Sequence, residues 1–262
     1  MPNKKKQHTM KKNILFNLFI LFFPLFLLAQ PKIIAHRGFW NTKGSAQNSI
    51  AALVKADSIN AYGSEFDVQI SKDSVLVINH DPHLWGYHIA KTSAETLTSL
   101  GLANREAMPT LIDYFNAAKP LKTKLILELK SLESPEMESY AIDEILKLVK
   151  EYGYEDRFEF ISFSLHAVKD IVKKSPSTPI YYLSGNLSPK ELKEIGNVGL
   201  DYHFNVFNKN PEWVKEAHDL GLKVNTWTVN KKEDMQKVID LNVDFITTDE
   251  PVLLRDLLNN SL

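Results

Sequence analysis

Residues 223–258, with the sequence KVNTWTVNKKEDMQKVIDLNVDFITTDEPVLLRDLL, decide the fold of this chain. Two short apolar runs, Lys223–Trp227 and Val243–Thr247, are typical of buried β-strands. Each is followed by a stretch with apolar residues at helical spacing, first Lys232–Leu241 and then Val252–Leu258. Strands that alternate with helices in this way predict βαβ units and a parallel sheet.

The same alternation runs upstream as far as residue 31, and the sixth strand is predicted over Tyr202–Val206. Eight βα units in a chain of this length favour an α/β fold of the (β/α)8 type, a TIM barrel, over an open doubly wound sheet. Residues 81–108 lack a clean βα pattern and are predicted to form a small insertion near the mouth of the barrel. The eight predicted strands contain or end at His36, Glu65, Glu128, Phe158, Tyr181, Phe204, Val224 and Phe245.

The bulk composition fits one globular domain over residues 30–262. Of the 262 residues, 44% are hydrophobic and 24% are charged, so a well-filled core is expected. The formal net charge is -1, and without a global basic excess no nucleic-acid partner is expected. The chain has no Cys, which rules out disulfides and metal thiolates.

Residues 1–29 are predicted to be a cleavable signal peptide. Five lysines precede the apolar run Ile14–Leu28, and Ala29 is the small residue at the predicted cleavage site. The run is shorter than the ~20 residues that span a bilayer, and Pro24 interrupts it. The mature chain is therefore expected to be periplasmic or secreted, with no lipoprotein cysteine and no stable membrane span. An uncleaved N-terminal anchor is the alternative.

Three acidic residues on two predicted strands form the candidate metal site. Glu65 and Asp67 are two residues apart on one strand, so their side chains point to the same face. Like charges inside a barrel are costly without a cation, and Ca²⁺ and Mg²⁺ prefer carboxylate oxygens. The same spacing makes Glu128 a candidate third ligand and Lys130 a candidate phosphate contact. A set of barrel salt bridges, such as one between Glu128 and Lys130, is the alternative.

Two histidines that each follow a predicted strand, His36 and His80, are candidates for general acid and general base. Imidazole suits both roles because it titrates near neutral pH. Arg37 has the planar fork that binds phosphate through two hydrogen bonds. Trp227 ends the seventh strand and is a candidate for stacking on a ligand, with packing in the core as the alternative.

Two other polar residues are expected to cap helices. Asn48 precedes a stretch of helical spacing over Ser49–Ala61 and is predicted to be its N-cap. Asp249 follows the last strand and is predicted to cap the helix that begins near Pro251.

Seven short motifs are spread over residues 36–257. They are His36-Arg37-Gly38, Glu65-Phe66-Asp67-Val68, His80-Asp81-Pro82, Pro109-Thr110-Leu111, Glu128-Leu129-Lys130, Trp227-Thr228-Val229-Asn230 and Thr247-Thr248-Asp249-Glu250-Pro251. Together these motifs resemble the glycerophosphodiester phosphodiesterase family, and the combination is specific, although no single motif is.

The resemblance implies a TIM barrel with a small insertion after the second catalytic histidine, and a small-molecule glycerophosphodiester or lysophospholipid substrate. It implies hydrolysis to an alcohol and sn-glycerol 3-phosphate, with water or the substrate's own glycerol hydroxyl as the nucleophile. The site residues that it implies are Glu65, Asp67 and Glu128 for Ca²⁺ or Mg²⁺, His36 and His80 for proton transfer, and Arg37 and Lys130 for the phosphate.

One departure from the family concerns the residues after the first motif. The family usually has Pro-Glu-Asn-Thr there, whereas this chain has Ala-Gln-Asn-Ser at positions 46–49. Gln47 removes a negative charge, and its amide oxygen remains a possible metal or substrate contact. Two alternatives stay open: a phospholipase D-like lyase that converts lysophospholipid or sphingomyelin to a cyclic phosphate, and a phosphodiester-binding protein without turnover.

Overall fold

The computed structural model describes residues 1–2 and 30–260. The predicted signal peptide lies outside the described residues except for its first two positions, and it stays a prediction. Within the described ranges, no helix is long and apolar enough to cross a membrane.

The described residues contain eleven strands. Eight of them pair in parallel around a ring, in the order β1, β11, β10, β9, β8, β7, β6 and β2, and β1 pairs with β2 to close it. The barrel predicted from the βα alternation is therefore confirmed. The strands are β1 (Lys32–Ala35), β2 (Gly63–Ile70), β3 (Leu76–Ile78), β4 (His83–Leu84), β5 (Tyr87–His88), β6 (Lys124–Leu129), β7 (Phe158–Ser162), β8 (Ile180–Tyr182), β9 (Gly199–His203), β10 (Val224–Trp227) and β11 (Phe245–Thr248).

Helices surround the barrel. The two longest are α4, which Gly153 ends in the left-handed conformation, and α5, whose apolar face lies on the sheet. The helices are α1 (Ile50–Ser58), α2 (Ala94–Ser99), α3 (Leu111–Ala118), α4 (Pro135–Tyr152), α5 (Leu165–Lys174), α6 (Pro189–Gly196), α7 (Phe204–Lys209), α8 (Glu212–Asp219), α9 (Lys232–Asp240) and α10 (Pro251–Asn259).

The alternation of side chains along each strand separates two cores. On β6, Leu125 and Leu127 point outward and join the large core between barrel and helices. Ile126 points inward, and Glu128 follows it on the same face towards the carboxyl end of the strand. The apolar filling of the barrel interior consists of Ile34, Ile126, Ile161, Tyr181, Leu183 and Phe245.

The residues after β2 depart from the simple βα repeat. β3 pairs with β2 in the antiparallel direction, and β4 and β5 form a short hairpin. A 3₁₀ turn and α2 follow, and the segment packs in a small core of its own. That core contains Val77, Ile89, Leu97 and Met108. β3 also leads directly to residues 79–81, and so it positions His80.

The prediction of a strand over Tyr202–Val206 is wrong. The sixth barrel strand ends at His203, and α7 begins at the next residue. The His203 ring accepts a hydrogen bond from the Asn205 backbone N–H at 3.2 Å and caps the helix. Phe207 then stacks against Tyr202, with ring centroids 6.0 Å apart. A short apolar run has no clear periodicity, so a strand and a helical turn look alike in the sequence.

Candidate active site

A polar pocket opens at the carboxyl ends of the barrel strands and has a volume of about 220 Å³. A larger cavity of about 360 Å³ lies at the opposite end of the barrel, beside Lys32 and Asp244, away from the candidate residues. The carboxyl end is where (β/α)8 enzymes bind substrate, so the smaller pocket is the candidate site. The candidate residues on its wall are His36, Arg37, Glu65, His80, Glu128 and Trp227.

Glu65, Asp67 and Glu128 form an acidic triad on two neighbouring strands. β2 and β6 pair with Asp67 opposite Glu128. One carboxylate oxygen of each residue lies within 4.8 Å of the others, and all three side chains are buried. Glu65 Oε1 has no hydrogen-bond partner among the described residues, and Glu128 Oε1 faces Lys130 Nζ at 2.7 Å. Clustered carboxylate oxygens are what a hard divalent cation needs.

Burial and mutual repulsion oppose full ionisation of this triad. Burial, followed by the charges of Asp67 and Glu128, raises the pKa of Glu65 well above its usual range. Burial also raises the pKa of Glu128 to about 7, with Asp67 adding to the shift and Lys130 opposing it. A bound divalent cation would favour the charged forms of these carboxyl groups. The donor set therefore fits the metal predicted from the sequence.

Asp67 and Lys130 hold opposite charges at the edge of the triad. Burial works against the charge of Asp67, but Lys130 and His80 lower its pKa below the usual range. Lys130 Nζ lies 3.4 Å from Asp67 Oδ1 and 2.7 Å from Glu128 Oε1. These two acids outweigh burial and raise the pKa of Lys130. The ion pair between Glu128 and Lys130 is therefore present within the candidate site itself.

Asn48 positions Asp67, and its prediction as a helix cap is wrong. The N-cap of α1 is Ser49, whose side chain accepts from the Ala52 N–H. Asn48 is buried with a left-handed backbone, at φ +61°. Its Nδ2 donates to Asp67 Oδ2 at 2.9 Å, and its Oδ1 accepts from the Asp67 N–H at 3.1 Å. Both groups of this amide therefore hold one triad residue.

Arg37 connects the triad to the rim of the pocket. Its backbone, at φ +54°, directs the N–H to Glu65 Oε2 at 2.6 Å. Its Nε lies 3.7 Å from Asp67 Oδ2, while Nη1 donates to Gln47 Oε1 at 2.6 Å. Gln47 is exposed. The Gln47 amide oxygen therefore faces Arg37, the side chain predicted to bind the phosphate.

His36 is held by Asp249, whose prediction as a helix cap is wrong. His36 Nδ1 lies 2.8 Å from Asp249 Oδ1, and this oxygen also accepts from Trp40 Nε1 at 2.8 Å. Asn230 Nδ2 donates to the second carboxylate oxygen at 2.6 Å. Burial opposes the charge of Asp249, but the hydrogen bonds from His36, Trp40 and Asn230 lower its pKa. Glu250 occupies the N-cap of α10, without a side-chain cap hydrogen bond.

His80 is positioned through its backbone. Gln69 Nε2, on β2, donates to the carbonyl groups of Asn79 at 2.8 Å and Asp81 at 2.6 Å. The His80 ring places Nδ1 2.7 Å from Asp81 Oδ1. Burial lowers the pKa of His80, with Asp67 opposing the shift and Lys130 adding to it. Burial therefore disfavours the charged form of the imidazole, and Nε2 is the ring nitrogen that does not face Asp81.

Trp227 lies on the apolar side of the pocket. Its Nε1 donates to the Asp201 backbone carbonyl at 2.8 Å, which fixes the ring. Phe163 meets it edge to face at 5.6 Å between ring centroids. The indole is partly exposed and lines the same pocket as the triad. Packing and ligand contact, the two interpretations of this residue, are thus compatible.

The pocket also involves residues that sequence reasoning missed. The sequence predicts Asn48 and Asp249 only as helix caps, and no local pattern marks Gln69 or Asp201 as site residues. Asp249 lies within the quoted motif at residues 247–251, which was a usable signal. Asp201 occupies an inward position on its strand, but the error in the bounds of the sixth strand hid this.

A phosphoric diester hydrolase needs carboxylates for a cation, imidazoles for proton transfer and cationic side chains for the phosphate oxygens. The pocket of this barrel contains residues of all three kinds, so the barrel and its site define this class of enzyme. A family model, the Glycerophosphoryl diester phosphodiesterase family, matches residues 36–253. The chain belongs to this family, and it is an enzyme of that class.

Relatives agree with this membership. A glycerophosphodiester phosphodiesterase of Caldanaerobacter subterraneus subsp. tengcongensis is 31% identical over 242 residues, 86% of this chain and 96% of the relative. The crystal structure of a glycerophosphodiester phosphodiesterase from Parabacteroides distasonis is 45% identical, with a TM-score of 0.87, over 89% of this chain and 99% of that one. An Oleispira antarctica phosphodiesterase, solved with the product sn-glycerol-3-phosphate, is 25% identical with a TM-score of 0.77, over 88% and 97% of the two chains.

Proposed function

We propose that this enzyme hydrolyses glycerophosphodiesters to an alcohol and sn-glycerol 3-phosphate, with a bound divalent cation and an acid/base pair of histidines. The observation that carries the proposal is that His36 and His80 line one pocket together with Glu65 and Glu128, the two triad residues beside which Asp67 is buried. The product complex of the Oleispira antarctica relative supports the assignment of the product.

Glu65, Asp67 and Glu128 would hold the cation. Ca²⁺ and Mg²⁺ are the candidates because all three ligands offer carboxylate oxygens. When bound, such a cation polarises a phosphoryl oxygen and neutralises charge in the site. The Gln47 amide oxygen accepts a hydrogen bond from Arg37 Nη1, so Gln47 is assigned to the phosphate side of the pocket and not to the cation.

Arg37 and Lys130 bind the phosphate group. The guanidinium and the ammonium both lie beside Asp67, on the edge of the triad. Preorganised cations at this position stabilise the charge that builds up on the phosphoryl oxygens as the diester is attacked. Their ion pairs with buried acids hold them in place before the substrate arrives.

His36 and His80 move the protons. The carboxylate of Asp249 lies 2.8 Å from Nδ1 of His36 and orients the ring, so His36 Nε2 is assigned as the donor to the leaving alcohol. His80, whose pKa burial lowers, is assigned as the acceptor of the nucleophile's proton. A substrate whose leaving group needs no protonation, such as the p-nitrophenyl diester of glycerol phosphate, separates the two roles. His36→Ala should retain most activity on it, whereas His80→Ala should not.

The test of the activity is a product analysis. The protein is incubated with glycerophosphocholine and Ca²⁺, Mg²⁺ or a chelator, and the phosphorus products are identified by NMR. Formation of sn-glycerol 3-phosphate that depends on the cation, and is lost in His36→Ala, supports the proposal. A cyclic glycerophosphate would favour the lyase. Cation binding without turnover, over a panel of glycerophosphodiesters and lysophospholipids, would overturn the proposal in favour of a binding protein.

We also propose that the chain acts in the periplasm or outside the cell. The lysines and the apolar run before Ala29 support a cleavable signal. Cleavage after Ala29 would leave a catalytic domain from residue 30 onwards, with the segment at about residues 81–108 as its insertion. Mass spectrometry of the exported protein tests this, because an intact N-terminus would contradict cleavage.

A further inference from the structure

Asp201 is an inward-facing acid in the half of the barrel away from the triad. Its neighbours on β9, Leu200 and Tyr202, pack in the outer core, so the side chain between them points into the barrel. It lines the same pocket as His36 and Glu65. Around the ring, β9 lies four strands from β2 in either direction, so Asp201 faces the triad from the opposite wall.

One carboxylate oxygen of Asp201 lacks the partner that its burial calls for. The residue is 1% exposed, and Oδ1 has no hydrogen-bond partner anywhere in residues 30–260. Asn225 lies beside it on β10 and contributes a side-chain hydrogen bond to the carboxyl group, and the same amide also donates to Thr247 Oγ1 at 2.9 Å and accepts from the Thr226 N–H at 2.8 Å. A buried polar group without a partner lowers stability, so a function is expected for it.

The chemical state of this carboxyl group suits a hydroxyl ligand. Burial raises the pKa of Asp201 well above its usual range, a shift that Asn225 opposes and the charge of Glu128 increases. A neutral carboxyl group both donates and accepts a hydrogen bond, as a hydroxyl group does. A second phosphate or carboxylate group would be a poorer match, since Arg37 and Lys130, which carry the positive charge, lie beside Asp67 on the far wall.

Apolar side chains surround the carboxyl group on this wall. They come from β10 and from the ends of β7 and β8 on either side of β9. Such a wall packs against carbon atoms, while Asp201 supplies a polar contact among them. A short polyol has the complementary polarity, because its carbon atoms would pack against the apolar wall and its hydroxyl groups would reach the Asp201 carboxyl group. The apolar residues are Ile161, Phe163, Leu183 and Trp227.

We propose that the Asp201 carboxyl group binds a hydroxyl group of the substrate's glycerol moiety and selects glycerol diesters over diesters of simple alkyl alcohols. The inference rests on the proposed function, because the phosphate is taken to lie between Arg37 and Lys130. A site with a buried group that pairs only with the substrate hydroxyl rejects an analogue without that hydroxyl, since the group is then left unpaired.

The test compares two ligands that differ only in their hydroxyl groups. Dissociation constants of sn-glycerol 3-phosphate and n-propyl phosphate are measured by calorimetry with Mg²⁺ or Ca²⁺ present. The wild-type protein should bind sn-glycerol 3-phosphate about 10- to 100-fold more tightly, as expected for a buried hydrogen bond. In Asp201→Ala this preference should fall to within about threefold, while the affinity for n-propyl phosphate stays unchanged. Asp201→Asn should restore part of the preference.

Glu159 provides the matched control. It is an equally buried inward acid, on β7, but Tyr62 donates to it at 2.6 Å and Lys124 pairs with it at 3.2 Å. Glu159→Gln should keep the wild-type preference. A structural role for Asp201 predicts that Asp201→Ala lowers the melting temperature and weakens both ligands equally, and that result would overturn the inference.

The wild-type comparison needs no variant and is decisive by itself. Equal affinity of the wild-type protein for the two phosphates would overturn the inference, even if glycerophosphocholine is hydrolysed. Conversely, a lack of turnover with a preserved preference for sn-glycerol 3-phosphate would overturn the proposed function and leave the Asp201 subsite in place.

Discussion

At the scale of single residues, the site depends on side chains that act through others. Asp249 orients His36 and is itself held by Trp40 and Asn230. Gln69 fixes the backbone around His80 through carbonyl contacts. An imidazole transfers protons efficiently only when its free nitrogen is directed at the reacting atom. These supporting residues should therefore affect turnover more than substrate affinity.

Asp249→Asn is expected to lower kcat for glycerophosphocholine on the order of 100-fold, with KM within about threefold. The amide keeps the size of the side chain but removes the carboxylate that fixes the orientation and the tautomer of the His36 ring. Steady-state kinetics with a melting curve measures the effect. Asp219→Asn, an exposed acid on α8 paired with Lys215, is the control and should leave both constants unchanged. A loss confined to KM would contradict the positioning role.

Gln47→Glu separates a phosphate-side role from a metal-ligand role. The new carboxylate would pair with Arg37, so the KM for glycerophosphocholine is expected to rise about fivefold, within the range of exposed ion pairs. The dissociation constant of Ca²⁺ or Mg²⁺ should change less than about threefold, since the Gln47 amide oxygen accepts from Arg37. Kinetics and calorimetry give the two values. Much tighter cation binding would show that position 47 contributes a ligand.

At the scale of elements, paired strands bring the acids together. The β2–β6 register sets Asp67 opposite Glu128, and the period of two puts Glu65 on the same inward face. Neighbouring parallel strands thus supply both the ligands and the lysine that follows them. Inward side chains fill the interior of the barrel in layers, so the size and polarity of a residue at an inward position are restricted by its neighbours in that layer.

Glu65→Gln is expected to weaken Ca²⁺ or Mg²⁺ binding about 100-fold or more, because a charged ligand is lost from the triad. The metal-free protein should melt at the same or a higher temperature, since a neutral amide replaces a carboxyl group whose ionisation burial and the neighbouring acids oppose. Calorimetry and thermal melts in chelator measure the two effects. Glu159→Gln, which alters an inward acid outside the triad, should retain cation affinity.

Gly199→Ala tests the packing of β9 against β8. A Cβ atom at this position would lie 2.2 Å from Tyr181 Cδ1 and 3.1 Å from the Lys223 carbonyl oxygen. The free energy of unfolding in urea is expected to fall by about 1 to 3 kcal/mol, as for overpacked cores. Gly101→Ala, where the nearest atom is 3.9 Å away, should change it by less than about 0.5 kcal/mol. Equal effects of the two substitutions would contradict the tight contact.

At the scale of the whole molecule, barrel closure concentrates acids that burial keeps from ionising. The pKa values of Glu65, Glu128 and Asp201 are all raised, in each case mainly by burial. A carboxyl group whose pKa is raised in the folded state makes its full contribution to stability when the pH is below its unfolded pKa. That stability is lost as the pH rises through the folded pKa. Asp67, whose pKa is lowered, acts in the opposite direction and at lower pH.

In chelator, the free energy of unfolding is expected to fall as the pH rises from 4.5 to about 7, the ordinary and folded pKa values of Glu128. This group alone corresponds to about 3 kcal/mol. Saturating Ca²⁺ or Mg²⁺ should remove the decline, because the cation favours the ionised triad. Urea unfolding over this pH range measures it, and Glu128→Gln should flatten the metal-free profile. A metal-free stability that rises over the same window would contradict the prediction.

The sequence by itself determined the barrel, the acidic triad and the pair of histidines after the strands. These follow from local periodicity: a spacing of two places Glu65 with Asp67 on one face, and the βα alternation brings strand ends to one side. Only the tertiary structure decided that Asp249 holds His36, that Asn48 holds Asp67 and that Asp201 on the opposite wall has one carboxylate oxygen without a partner. Residues 36 and 249 meet only because β1 pairs with β11, and no local pattern encodes which inward residues face each other across a closed ring.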